Sequence, residues 1–311
     1  MNSPAADLTM RRSDHAGPSA NAVAEISVVM VVYRTGPALK ESIQRVLSDP
    51  LTAEFIIVDN GSTPEEAAWM DQAARDPRVI LRRGQGNVGF ACGANTGARA
   101  ASGHVLVFIN PDAYLQPNCL RSLADGVSTG SSPCLVGARV LNTDGTEQRG
   151  ARRGEVTPVT TLLSLLRLSN LKFLHRFEIH QEGEPPPEVR IPVPTISGAG
   201  FAMTRYDFNA VGGFDQGYFL HVEDVDLCWR VRQAGGSVLF DPKATVVHLG
   251  STSRTHPMKI EFWKGVGLVR YFRKRADNPW RVVLANILAP AIILASLVRA
   301  MLRRRSAARD K

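Results

Sequence analysis

Four short apolar runs, each closed by a polar or glycine-bearing turn and followed by a helical stretch, constrain this chain more than any other feature. Residues 26–33 (ISVVMVVY) are apolar and β-branched almost throughout, and 54–58 (EFIIV), 79–82 (VILR) and 105–109 (VLVFI) follow the same pattern. A run with no polar face has to be covered on both sides, the condition of a strand inside a parallel sheet. Between the runs, Gly36-Pro37 opens a helix to about residue 47 and Pro64 opens one to about residue 75. An Ala- and Gly-rich stretch, 90–101, forms another helix, and Pro117 starts a fourth. Residues 135–141 add a strand. Repeated βα units with short loops predict an α/β fold: a Rossmann-like, mostly parallel central sheet with helices on both faces. Ligands of such sheets bind beyond the carboxyl ends of the strands. Tyr33, Asp59, the loop 84–89 and Asp112 all fall there.

The remainder is less regular. Residues 142–194 carry a Gly-Glu-Pro-Pro-Pro loop marker at 183–187, strand character returns over 196–203, and 238–240 and 245–247 read as short strands. A leucine-rich stretch, 159–177, reads as a helix suited to core packing, a partner helix or a membrane surface. Residues 1–24, rich in Ala, Ser, Pro and Asn with no apolar run, read as a disordered leader. The four cysteines are scattered and form no CxxC pair, which argues for a reducing compartment and against structural zinc.

The net charge of +8 is unevenly placed: from residue 264 onward twelve Lys/Arg stand against two Asp, a local +10. That excess flanks a charge-free apolar segment, 282–298, instead of spreading over a folded face, so a membrane surface fits better than nucleic acid. As a helix its 17 residues span roughly 25 Å, short of the ~30 Å hydrocarbon core. With Pro290 at its middle, an interfacial or re-entrant helix is expected.

Two patterns carry chemistry. Gly84-Gln85-Gly86-Asn87-Val88-Gly89 fits GxGxxG, but it sits on the third βα unit and not the first, where a dinucleotide fingerprint belongs. The same glycines suit close approach to a nucleotide diphosphate. The second is Phe219-Leu220-His221-Val222-Glu223-Asp224-Val225-Asp226-Leu227. Three carboxylates in four positions inside an apolar frame are costly to bury unless a cation, a donor or a substrate meets them. The alternative is an acidic helix start, with the helix over 225–234.

Taken in order, Val58-Asp59-Asn60-Gly61-Ser62, Asn87-Val88-Gly89-Phe90-Ala91 running to Asn95, Asn110-Pro111-Asp112, Gly198-Ala199-Gly200, Val211-Gly212-Gly213-Phe214-Asp215, Glu223-Asp224-Val225-Asp226 and His248 form a set. The set resembles the family-2 glycosyltransferases, most closely their rhamnosyltransferase-like branch, over residues 25–255. The resemblance implies an A-type glycosyltransferase fold and a metal-dependent, inverting transfer, with Mg²⁺ or Mn²⁺ as cofactor. It divides the chain into a nucleotide-sugar half (25–140), an acceptor half (141–255) and a basic, apolar C-terminal helical region (256–311).

The resemblance also implies roles. Asp59 accepts the N3–H of a uracil or thymine ring and Tyr33 stacks on that base, while Asn87, Gly89, Asn95 and Asn110 contribute to the donor site. Asp112 and His248 hold the metal. The family usually carries Asp-x-Asp where this chain has Asn110-Pro111-Asp112, a departure that the same branch shares. Asp224 is the catalytic base. Glu223 and Gly198 face the acceptor, and Asp226 caps the following helix; Arg152 and Arg153, in a loop after Gly145, suit a diphosphate on the donor or on a lipid-linked acceptor. The expected donor is dTDP-rhamnose and the acceptor a lipid-linked glycan at the cytoplasmic face of a bacterial inner membrane. A UDP-hexose or UDP-N-acetylhexosamine donor is the alternative. A non-catalytic binding protein and an NAD-dependent oxidoreductase using the GxGxxG loop stand behind both.

Overall fold

Residues 26–32 fold as a strand whose alternate side chains enter two different cores, as a run with no polar face demands. In a computed structural model, residues 25–166, 168, 171, 173–174, 178–250, 252 and 255–309 are described, without the side chains of 302–309. The first half runs β1 (Ile26–Val32), α1 (Ala38–Ser48), β2 (Thr52–Asp59), α2 (Pro64–Ala73), β3 (Val79–Arg82), α3 (Phe90–Ala100), β4 (Val105–Ile109), β5 (Ala113–Leu115), α4 (Cys119–Gly126) and β6 (Cys134–Leu141). The second half runs β7 (Arg152–Arg153), α5 (Pro158–Leu165), β8 (Ile191–Pro192), β9 (Thr195–Ile196), β10 (Gly200–Thr204), α6 (Arg205–Ala210), α7 (Glu223–Gln233), β11 (Ser237–His248), α8 (Pro257–Lys274) and α9 (Pro279–Arg309). The expected leader, 1–24, lies outside the described residues.

The main sheet has the order β3-β2-β1-β4-β10-β6-β11-β5, with β8 pairing on β11. β3, β2, β1 and β4 are parallel, β6 and β11 are parallel, and β10 runs antiparallel between the two groups. From β1, Val28, Met30 and Val32 enter the core under α1, α2 and α4; Val29 and Val31 enter the core under α3, α6 and α7. β4 repeats this, Val105, Val107 and Ile109 facing one way and Leu106 and Phe108 the other. The small residues of α3 permit close approach: a Cβ on Gly97 would fall 2.4 Å from Val29 Cγ1.

Several boundaries differ from expectation. The stretch 196–203 is two strands, because residues 197–199 turn the chain from β9 into β10. The two short strands around 238 and 245 are one, β11, with a register irregularity between Asp241 and Thr245. α7 starts at Glu223, so the whole acidic motif lies in its first turn. The leucine-rich helix ends at Leu165, and much of 166–177 lies outside the described residues.

The largest difference is at the C-terminus. The charge-free segment is only the middle of a 31-residue helix that continues through Pro290. Its apolar part, Pro279–Met301, is long enough to cross a membrane by length and composition. One face of α9 (Ala285, Ala289, Ile292, Ala295) packs with Leu268 and Phe272 of α8 in a third core. The opposite face leaves Trp280, Ile287, Leu294 and Met301 exposed. α8 in turn is tied to the sheet domain: Lys274 Nζ lies 2.8 Å from Asp226 and 2.9 Å from Asp215.

Candidate active site

The carboxyl ends of β1, β2, β4 and β11 converge on one edge of the sheet. β11 brings its last residue, His248, opposite Ala113 of β5, so His248 meets the Asn110-Pro111-Asp112 turn between β4 and β5. His248 Nε2 lies 3.1 Å from Asp112 Oδ1, although the residues are 136 positions apart. Behind the ring, Nδ1 lies 2.7 Å from Gln148 Oε1. With Nδ1–H donating to that oxygen, Nε2 presents its lone pair toward Asp112. Asn110 Nδ2 donates to the same Nε2 at 3.3 Å. Thr252 Oγ1 donates to the second carboxylate oxygen of Asp112 at 2.8 Å. Burial alone would raise the Asp112 pKa; with the His248 ring protonated, its Nε2–H and charge, and after them Thr252, hold it below its ordinary value.

A carboxylate oxygen and an imidazole lone pair aimed at one point fit a divalent cation that takes its other ligands from water and substrate phosphates. Among the described residues no group of three or more His, Cys, Asp or Glu converges as a metal site.

A cleft of ≈ 260 Å³ opens over the pair and is lined by Tyr33, Asn87, Gly89, Asn110 and, from the C-terminal region, Lys259 and Trp263. Trp263 stacks on Phe219 at 4.7 Å. Helix α8 therefore forms a wall of this cleft, although residues from 256 on read in the sequence as a separate region. Asp59, the last residue of β2, is not among the residues that line this cleft, although its neighbour Asn60 is. Asp59 Oδ1 accepts from the Gly61 and Ser62 N–H groups at 2.9 Å each, and Oδ2 faces Arg83 at 3.9 Å. Asn87 Oδ1 accepts from Gly89 N–H. Gly89, at φ +83°, approaches a backbone: an added Cβ would fall 2.6 Å from Phe219 O. That glycine thus seats the loop ahead of the acidic motif.

The acidic motif is delivered under strain. His221 and Val222 both have positive φ, 66° and 75°, and a β-branched residue there costs on the order of 1–3 kcal/mol. The kink turns the chain into α7 with Asp224 aimed inward. Asp224 Oδ2 accepts from Arg153 at 2.6 Å and from Gly198 N–H at 3.1 Å. Burial raises the Asp224 pKa, but the Arg153 charge and hydrogen bond, with the Val225 and Gly198 N–H groups, outweigh it and hold the group ionised. Glu223 is the opposite case. Burial first, then the Asp224 charge, push it up to about 8, and its Oε2 is buried with no hydrogen-bond partner. Two adjacent carboxyls thus differ in protonation at neutral pH.

Several expected site residues belong to the scaffold. Asn95 is buried, and its amide both donates to and accepts from the Phe214 backbone at 2.8 and 2.9 Å; it pins the 211–215 loop and does not line the cleft. Arg152 is 3% exposed and bound to Glu147 and to the Glu184 and Pro185 carbonyls, away from Asp224. The physical reason is the strand period: in β7 successive side chains take opposite faces, so Arg153 reaches Asp224 and Arg152 cannot. Gly198 contributes its N–H to Asp224. Asp226 caps nothing; it sits inside α7, fully buried, and accepts from Arg230 at 2.7 Å and from Lys274. Gln148, Thr252 and Trp263 also belong to the site. None carries a local signal, since each acts through a partner distant in sequence.

The family model described as glycosyl transferase family 2 matches residues 27–210. Among curated proteins, the chain is 28% identical over 303 residues to the N-acetylglucosaminyl-diphospho-decaprenol L-rhamnosyltransferase of Mycobacterium tuberculosis. The match covers 90% of this chain and 94% of that protein. It is 24% identical to a low-salt glycan biosynthesis hexosyltransferase of Haloferax volcanii, over 67% of this chain and 62% of the relative. Among solved structures, GalNAc-T7 with UDP, GalNAc and Mn²⁺ superposes with a TM-score of 0.60 at 19% identity, over 81% of this chain and 48% of that one. A mannosyltransferase from Pyrobaculum calidifontis with GDP-Man and Mn²⁺ superposes at 0.56 and 15% identity, over 93% and 76%. At these identities the structural likeness speaks for the fold.

Proposed function

The chain belongs to glycosyl transferase family 2, in its rhamnosyltransferase-like branch, and we propose that it moves rhamnose from dTDP-rhamnose to a lipid-linked saccharide with inversion at the anomeric carbon. The observation that carries this reading is the meeting of Asp112 and His248 at 3.1 Å in a cleft at the carboxyl edge of the sheet. The choice of donor and acceptor is supported by the similarity to a mycobacterial rhamnosyltransferase over 90% of the chain.

In this reading Asp59 accepts the N3–H of the base through its second oxygen, and Tyr33 stacks on the ring. Asp112 and His248 would hold Mg²⁺ or Mn²⁺, which when bound would supply positive charge to offset that of a nucleotide diphosphate leaving group. Asp224 accepts the proton of an acceptor hydroxyl as its oxygen attacks C1. The new C1–O bond forms on the face opposite the breaking bond to the diphosphate, which leaves with the bonding pair. Glu223, neutral beside the ionised Asp224, donates a hydrogen bond to the acceptor sugar. The exposed apolar face of α9, with Arg281 near its start and Arg303, Arg304 and Arg305 near its end, seats the enzyme on an anionic bilayer at the cytoplasmic face. Its packing against α8 along the other face supports a surface-lying helix.

The test is a donor panel on the purified full chain with Mn²⁺ and a prenyl-diphosphate-linked N-acetylglucosamine. Product from dTDP-rhamnose, with weaker or no product from UDP-glucose and UDP-N-acetylglucosamine, is the expected result. Transfer only from a UDP-sugar would reassign the donor, and no transfer from any of them would overturn the reading.

A further inference from the structure

Beside the donor cleft, and sharing the His221 wall with it, lies a second, smaller cavity between α5, α7, α8 and α9. Three cations line it, Arg153, Lys264 and Arg299, and one ionised carboxylate, Asp224. The cations come from three separate elements: β7, α8 and α9. Their convergence is felt by His180 on the same wall. Burial, and then the charges of Arg149, Arg153, Lys264 and Arg299, depress its pKa far below the ordinary value, so the ring is neutral.

Three polar atoms on this wall are buried without a hydrogen-bond partner: Arg153 Nε, His180 Nδ1 and Thr161 Oγ1. Buried polar groups are almost always satisfied, so a cluster without protein partners calls for partners from outside the chain, solvent or ligand. The rest of the wall is apolar, with Val156, Leu165 and Leu268. The cavity thus combines three converging cationic side chains and orphaned polar groups with a greasy side next to α9.

We propose that this cavity binds the diphosphate of a prenyl-diphosphate-linked acceptor, with Arg153, Lys264 and Arg299 as its charge partners and the first part of the prenyl chain running along Leu165 and Leu268 toward the exposed face of α9. The proposal rests on the lipid-linked acceptor reading and deepens it. A diphosphate held here presents the attached sugar to Asp224, on the same wall. Arg153 joins the two functions, because its guanidinium already spans from the Ile196 carbonyl to Asp224. An anionic phospholipid headgroup offers the same phosphate chemistry from another source, and the test separates the two.

The experiment is a calorimetric titration of the full chain with geranyl diphosphate while UDP and Mn²⁺ saturate the donor cleft, in parallel with geraniol and with phosphatidylglycerol vesicles. The wild type should bind geranyl diphosphate and not geraniol. Lys264→Gln with Arg299→Gln should weaken that binding at least about tenfold, the scale of lost hydrogen bonds to a charged group, with UDP affinity unchanged as the check on folding. Equal binding by wild type and variant, or no binding by the wild type, would overturn the proposal. So would a loss seen only with vesicles, which assigns the cations to the membrane. Failure of the transferase reading has a different signature: intact, variant-sensitive geranyl diphosphate binding without sugar transfer.

Discussion

Arg153 and Asp224 form an ion pair at 2.6 Å, from a two-residue strand and the first turn of α7, 71 positions apart in the chain. The arginine is the chief influence holding the aspartate ionised against burial. A base must be ionised to accept a proton, so activity should fall as pH drops through the Asp224 pKa. In Arg153→Gln the burial effect is no longer offset, the pKa rises, and the acid limb of the kcat profile should move to higher pH. A pH–rate series on wild type and variant checks this; an acid limb that stays in place would separate Asp224 from it.

Gln148 touches no substrate in the proposed mechanism, yet it fixes the His248 tautomer from behind. Gln148→Leu should weaken Mn²⁺-dependent UDP binding by about 10–100-fold, the usual cost of losing an outer partner of a metal ligand, with little change in thermal stability without metal. Thermal shift with UDP across a Mn²⁺ titration reads both.

Glu223 is held neutral by burial and by its ionised neighbour. If the neutral form is the active one, activity should decline as pH rises through about 8, because the group then loses its proton and its role as donor. Glu223→Gln keeps a donor that does not titrate, so it should retain most of the activity at pH 7 and lose that alkaline limb. Glu223→Ala should lose activity at every pH.

The inner strands were legible because burial on both faces writes itself as unbroken apolar runs: β4 falls where residues 105–109 predict it, and β3, a half-buried edge strand, still falls at 79–82. Asp112, His248 and Asp224 were legible through ordered motifs, and the structure gathers them around two adjoining cavities. Other features are properties of pairing and not of any residue. Nothing adjacent to Asn95 says that its amide matches the Phe214 backbone. Arg152 and Arg153 are identical in type, and only the pairing of β7 with β9 decides which one reaches Asp224. The role of α8 and α9 was hidden for a similar reason: composition marks them as basic and apolar, but not that Trp263, Lys264 and Arg299 wall the site.

The outer face of α9 exposes Ile287 at 68% and Leu294 at 61%. If that face meets lipid, Ile287→Asp with Leu294→Asp should abolish most binding to phosphatidylglycerol vesicles in a flotation assay. UDP affinity in solution should be unchanged, since neither side chain contributes to the third core. Undiminished flotation would mean that α9 is not the membrane contact.

The most direct test is Asp224→Asn, measured for nucleotide binding and for transfer in the same preparation. If Asp224 is the base, the variant should bind UDP and Mn²⁺ as the wild type does and transfer sugar roughly 10²–10⁴-fold more slowly, the range for a lost general base. Transfer at an undiminished rate would contradict the assignment.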